Sequence, residues 1–102
     1  MPRKCTENVA KIHKALIALA GTAKKFEATH GELPGVWSRG MAEIIEDTPE
    51  LIDIGGNINP GGDKNSMDLT CANSEEEPTL YTTYSINLNS HLIEVYQFGL
   101  RR

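Results

Sequence analysis

Between Cys5 and Pro34 the apolar residues Val9, Ile12, Leu16, Leu19, Ala23 and Phe26 fall three and four positions apart, a spacing that gathers side chains onto one stripe of an α-helix. Thr6 is suited to cap the start of this helix, and Gly31 followed by Pro34 is suited to end it. At roughly 1.5 Å per residue, a helix from Thr6 to His30 is about 37 Å long, more than a chain of 102 residues needs to cross its own core. The helix is therefore expected to have a second working face. Ala10, Ile17, Gly21 and Ala28 form such a face, a thin and mostly small stripe about 140° round the axis from the first. Gly21 in mid-helix costs roughly 1 kcal/mol relative to alanine, and close approach by another helix would account for it.

The punctuation of the remaining sequence sets the other elements. Trp37, Met41, Ile44 and Ile45 predict a short helix, and Thr48-Pro49-Glu50 has the residue types of an N-cap and first turn ahead of Leu51 and Ile52. Gly, Asn, Pro and Asp dominate from Gly55 to Ser66, which predicts a loop. Alternation over Leu80 to Ile86 predicts a strand with Leu80, Thr82, Tyr84 and Ile86 on one face. A second strand is expected over Leu92 to Leu100, joined to the first by a turn from Asn87 to His91, and a third around Leu69 to Cys71. The predicted fold class is α+β: one domain, residues 1–102, with a long N-terminal amphipathic helix packed on a small antiparallel β-sheet of about three strands. The core stripe of the helix is expected to bury against Tyr84, Ile86, Val95 and Phe98. Trp37, Tyr81, Tyr84 and Tyr96 have the character of half-buried sheet and core residues.

Charge and hydropathy exclude some classes of function. A net charge of -4 argues against a general nucleic-acid binder, and no apolar run reaches the roughly 18 residues of a membrane span, so the chain as written is expected to be soluble. The charge is unevenly placed. Met1 to His30 carries six Lys or Arg against two Glu, and Gly31 to Arg102 carries four against twelve Asp or Glu. A positive helix and a negative head can complement each other within the chain, or the basic stem can meet anionic lipid or an acidic neighbour.

Residues able to carry chemistry are sparse. Cys5 and Cys71 are the only cysteines, which allows a disulfide, two free thiols or shared metal ligation. The placement of Cys5 at the frayed start of the helix favours two unpaired thiols, because Cα atoms more than about 7 Å apart cannot be bridged. His13, His30 and His91 lack a paired-ligand spacing, so no zinc is expected. Asn57, Asn59, Asp63, Asn65 and Asp68 supply hard oxygen atoms, but Met67 occupies the third ligand position counted from Asp63, and the run ends without a bidentate acid. No cofactor is expected. Cys71 or Ser74 with His91 has no nucleophile elbow or oxyanion loop around it, and Glu75, Glu76 and Glu77 form a solvated run. The chain is therefore not expected to be an enzyme.

The same helix carries a family resemblance. Cys5, Asn8, Val9, Ile12, Ala15 and Leu16, followed by Phe26 and the turn Gly31-Glu32-Leu33-Pro34, resemble the segment that follows the membrane anchor in type IV pilin-like proteins and type II secretion pseudopilins. Leu69-Thr70-Cys71-Ala72-Asn73-Ser74 and Thr83-Tyr84-Ser85-Ile86-Asn87 are similar to two downstream elements of a bacterial pseudopilin-like group, in the same order. The resemblance covers about half the chain. It implies a structural subunit of a pilus or secretion pseudopilus that acts by helix packing and surface recognition without catalysis. Its implied partners are other pilin-like subunits or further copies of itself. It also implies an extracytoplasmic or cell-surface location, with membrane attachment through an N-terminal anchor. Met1-Pro2-Arg3-Lys4 stands about where such an anchor would leave the membrane, so the chain is expected to be the headpiece. Some pseudopilins of this kind bind calcium in their head loops. The competing expectation is a free-standing soluble α+β module that binds a protein or a small ligand.

Overall fold

Asn8, rather than Thr6, caps the first helix: its side-chain oxygen accepts the Lys11 N–H at 3.1 Å, and α1 runs Val9–His30. Thr6 instead accepts the N–H of Asn8 through its hydroxyl, two residues too early to start the helix. The C-terminus is where the sequence places it. Gly31 adopts the left-handed conformation (φ 87°), and its N–H reaches the Glu27 carbonyl. The computed structural model describes residues 3–63 and 65–100; Met1 and Pro2, where the expected exit from a membrane would fall, lie outside them.

Two short helical elements follow α1. Ser38 caps α2 (Arg39–Glu46) through the Met41 N–H at 3.2 Å. A 3₁₀ turn, η1, covers Pro49–Leu51. Thr48 does not cap η1 as expected; it is buried and donates its hydroxyl to the Ile44 carbonyl at 2.8 Å, which ties off the end of α2. Four strands complete the fold: β1 (Asn57–Pro60), β2 (Ser66–Ala72), β3 (Leu80–Asn87) and β4 (Ile93–Gly99). They pair antiparallel in the order β1-β2-β3-β4, so every strand neighbours the next in sequence. The fourth strand is β1, within the segment whose composition predicts a loop. Its single aliphatic residue, Ile58, leaves no alternation to detect, and pairing with β2 holds it extended.

Register divides the sheet into two faces. Ile58 and Pro60, Met67, Leu69 and Cys71, Thr82, Tyr84 and Ile86, and Ile93 and Val95 share the face toward α1. On that face Ile12, Ala15, Leu16, Leu19, Ala20 and Ala23 of α1 join Met41 and Ile44 of α2, Ile54, Met67, Leu69, Cys71, Ile86 and Leu88 in one apolar core. The stripe is wider than the spacing of large residues suggests, because Ala15 and Ala20 let the helix approach the sheet closely. Val9 does not join it. A side chain on the first helical residue leans back past the helix end, and Val9 is half exposed. Val95 and Phe98 also stay outside the core, being half exposed. Val95 lies on the edge strand, and Phe98 pairs with Tyr81 on the opposite face of the sheet.

The N-terminal segment overturns the expectation of free thiols. Before α1 the chain is extended: Lys4 bridges Ala72 and Cys5 bridges Gly55, with Ala72 N–H donating to Arg3 O (3.0 Å) and Thr6 N–H donating to Ile54 O (2.8 Å). These contacts lift Cys5 away from the helix start and lay it beside the end of β2, where its Cα is 5.3 Å from that of Cys71, and the two form a disulfide. Gly56 makes room for the bridge: at φ 66°, a Cβ there would meet Cys5 Sγ at 2.5 Å and the Thr70 carbonyl at 2.7 Å. Closing 66 residues of chain removes loop entropy worth about 4 kcal/mol from the unfolded state. Cys5→Ser should therefore lower the unfolding free energy by about 4 kcal/mol, measured by denaturant titration. The purified wild type should take up no alkylating reagent under denaturing conditions until reductant is added.

Candidate interaction surfaces

The outer face of α1 is set by the burial of the inner one. With Leu16 and Leu19 turned to the sheet, Ala10, Ile17, Gly21 and Ala28 all lie exposed on the other side, and Ile17 keeps 48 % of its surface in contact with solvent. Among the described residues nothing outside the helix accounts for the glycine, since beyond its own helical backbone no atom comes within 4 Å of where a Gly21 Cβ would stand. The helix is held against this rotation by its flanks. Lys24 Nζ reaches both Glu27 (3.1 Å) and Asn89 Oδ1 (3.0 Å) in the β3–β4 turn, which fastens the helix to the sheet. At its C-terminal end the rings of Phe26 and His30 lie 4.1 Å apart, and His30 Nε2 is 3.6 Å from Glu43 Oε2 of α2.

A second surface lies beside Trp37. Trp37, expected to be half buried, is 88 % exposed and holds a left-handed backbone conformation (φ 59°) between Gly35 and the α2 cap Ser38. It stands at a groove of about 390 Å³ between α2 and the outer edge of β1, lined by Met41, Ile45, Leu51 and Ile58 together with Arg3. Arg3 crosses the groove end by donating from Nη2 to the Gly56 carbonyl at 3.3 Å. The signal in the sequence was the position of Trp37: it lies between a Pro-Gly pair and a helix cap, where no periodic pattern directs a side chain inward.

The oxygen-rich residues of the expected loop are scattered by the strands. Asn57 Oδ1 accepts the Arg3 N–H (3.2 Å) and Asp63 Oδ1 accepts the Asn65 N–H (2.8 Å). Asn59 and Asp68 face each other across β1 and β2, and Asp68 Oδ1 is enclosed without a hydrogen-bond partner among the described residues. Among those residues no three His, Cys, Asp or Glu side chains are grouped to hold a metal ion. The outer face of the sheet also carries Tyr81, Tyr96 and Phe98, with Tyr81 and Phe98 in edge contact at 5.4 Å. Glu94, accepting a hydrogen bond from Tyr96, holds the Tyr96 phenol above the ordinary tyrosine value.

The chain matches no protein-family model, no curated protein and no solved structure. If nothing within the chain needs the glycine of α1, Gly21→Ala should raise the melting temperature of the isolated protein, with a gain of roughly 0.5–1 kcal/mol in unfolding free energy. A loss of stability would mean that this face packs against something in the chain itself.

Proposed function

We propose that this protein is a pilin-like structural subunit, the headpiece of a component of a bacterial pilus or secretion pseudopilus, which works by packing the outer face of α1 against neighbouring helices and catalyses nothing. The observation that carries this reading is the solvent-facing stripe Ala10, Ile17, Gly21 and Ala28, in which a large aliphatic side chain is half exposed and a mid-helix glycine has no close neighbour among the described residues. Small residues allow helix backbones to approach closely, and an exposed isoleucine supplies apolar area at the contact. The similarity of Cys5 to Pro34 to the post-anchor segment of pilin-like proteins supports the same reading, as does the arrangement of a long helix on an antiparallel sheet. Among the described residues no helix is long and apolar enough to cross a membrane, so attachment would rest on a segment other than α1.

The two faces of α1 give the test. Leu16 is fully buried, and Leu16→Ala should cost about 2–5 kcal/mol of stability. Ile17→Glu should leave the melting temperature within a few degrees of wild type yet exclude the protein from sheared surface filaments or pseudopilus preparations of the producing cell. Normal incorporation of folded Ile17→Glu would reject the reading.

The groove beside Trp37 favours a second reading, a free-standing module that binds a protein segment. Exposed tryptophan over an apolar groove is the composition of a binding hot spot. Trp37 is the only tryptophan in the chain, so its emission reports the groove directly. On this reading, extracts containing the partner should shift Trp37 emission to shorter wavelength, and Trp37→Phe should abolish co-purification. An emission unchanged by any fraction would leave the groove without a role.

A further inference from the structure

The two edges of the sheet are built differently. β1 covers four residues and ends in Pro60, which has no N–H to offer, features that blunt an edge against further strand pairing. β4 covers seven residues, Ile93–Gly99, and contains neither proline nor lysine. Its ladder to β3 fixes which main-chain groups face outward. Asn87 N–H donates to Leu92 O at 2.9 Å, and Leu100 N–H donates to Thr79 O at 2.9 Å. By alternation Glu94, Tyr96 and Phe98 direct their N–H and C=O groups to β3, as the Leu92 C=O and the Leu100 N–H do at its ends, and Ile93, Val95, Gln97 and Gly99 direct theirs to the open edge. The side chains along this edge are apolar on both faces of the sheet: Leu92, Val95, Tyr96 and Phe98 are 64, 53, 52 and 50 % exposed.

We infer that β4 pairs antiparallel with β4 of a second copy of this chain, about a two-fold axis at Tyr96, joining the two sheets into one of eight strands. The occupant is a second copy because the strand complements itself in that register. Ile93 meets Gly99 of the other copy, where a Cβ would find only the Thr79 carbonyl at 3.9 Å, so the large side chain has room. Val95 meets Gln97, Leu92 meets Leu100, and the two Tyr96 rings meet at the axis in a pair with no main-chain hydrogen bonds between them, where side chains approach closest. All four outward residues of each strand find partners, giving about eight new main-chain hydrogen bonds. Electrostatics agree. Glu94 is the single charged residue from Leu92 to Leu100. The register sets it opposite Phe98, so the two Glu94 carboxylates are offset by four residues, about 14 Å along the strands and beyond the screening length of about 8–10 Å at physiological salt. This contact lies on the opposite edge of the sheet from the groove and does not involve the outer face of α1, so it adds to the proposed subunit reading without resting on it.

Sedimentation equilibrium of the full oxidised chain from micromolar to millimolar concentration tests the inference. A monomer–dimer equilibrium is expected. Val95→Pro removes one outward N–H while sparing the β3–β4 ladder, and should weaken dimerisation about tenfold or more. Ile17→Glu should leave it unchanged. Tyr96→Cys should cross-link across the axis under mild oxidation, whereas Phe98→Cys, which faces Glu94 of the other copy, should not. Cross-linking settles the matter should Val95→Pro fail to fold. A chain that stays monomeric at every concentration and forms no Tyr96→Cys cross-link overturns the inference, and so does a dimer that Ile17→Glu abolishes and Val95→Pro leaves intact.

Discussion

The burial of one stripe of α1 on β2 and β3 is the contact on which the remaining structure depends. A 22-residue helix is about 33 Å long, and in water it gains most of its stability from tertiary packing of its apolar face. Ile12, Leu16 and Leu19 supply the large side chains, and Met67, Leu69 and Ile86 receive them. The sheet has the same need, since a meander of four strands is stable when one face is covered. Each element thus completes the other, and the rotation of α1 that buries Leu16 also turns Ile17 and Gly21 to solvent. The inner contact determines the outer surface.

Around that contact the chain is fastened at places far apart in sequence. The N-terminal segment is held to β2 by the disulfide and by the Ala72 N–H donating to Arg3 O, and to Ile54 by the Thr6 N–H. Lys24 holds the middle of α1 to the β3–β4 turn. Thr48 closes α2 onto η1 with a buried hydroxyl that finds its acceptor one turn back. Apart from the disulfide these ties are polar, and each satisfies groups that the core cannot.

What could be read from the sequence was whatever repeats with a period. The α1 stripe, its Gly31 stop, the α2 segment and strands β2, β3 and β4 all carry spacing or alternation strong enough to place them within a few residues. The outer face of α1 followed from the same geometry. The misses share a different cause. β1 is extended because β2 pairs with it, not because Asn57-Ile58-Asn59-Pro60 prefers a strand. Cys5 reaches Cys71 because the segment before Asn8 pairs with Gly55 and Ala72, fifty or more positions away, and no local pattern encodes such a pairing. Trp37 and Phe98 are large and aromatic, which suggests burial, but Trp37 lies in the turn ahead of the α2 cap and Phe98 on the sheet face turned away from α1.

The meander order of the sheet bears on how the protein reaches its native state. Each strand finds its partner next along the chain, so three hairpin closures build the sheet at small entropic cost. The contact of α1 with the sheet closes a longer stretch of chain, and the N-terminal segment pairs with Gly55 and Ala72, far along the sequence. With two cysteines in the chain, only one intramolecular pairing exists, so oxidation cannot scramble the framework. In an oxidising compartment the covalent bond therefore locks the one pairing that the hydrogen bonds and packing of the native fold bring within reach.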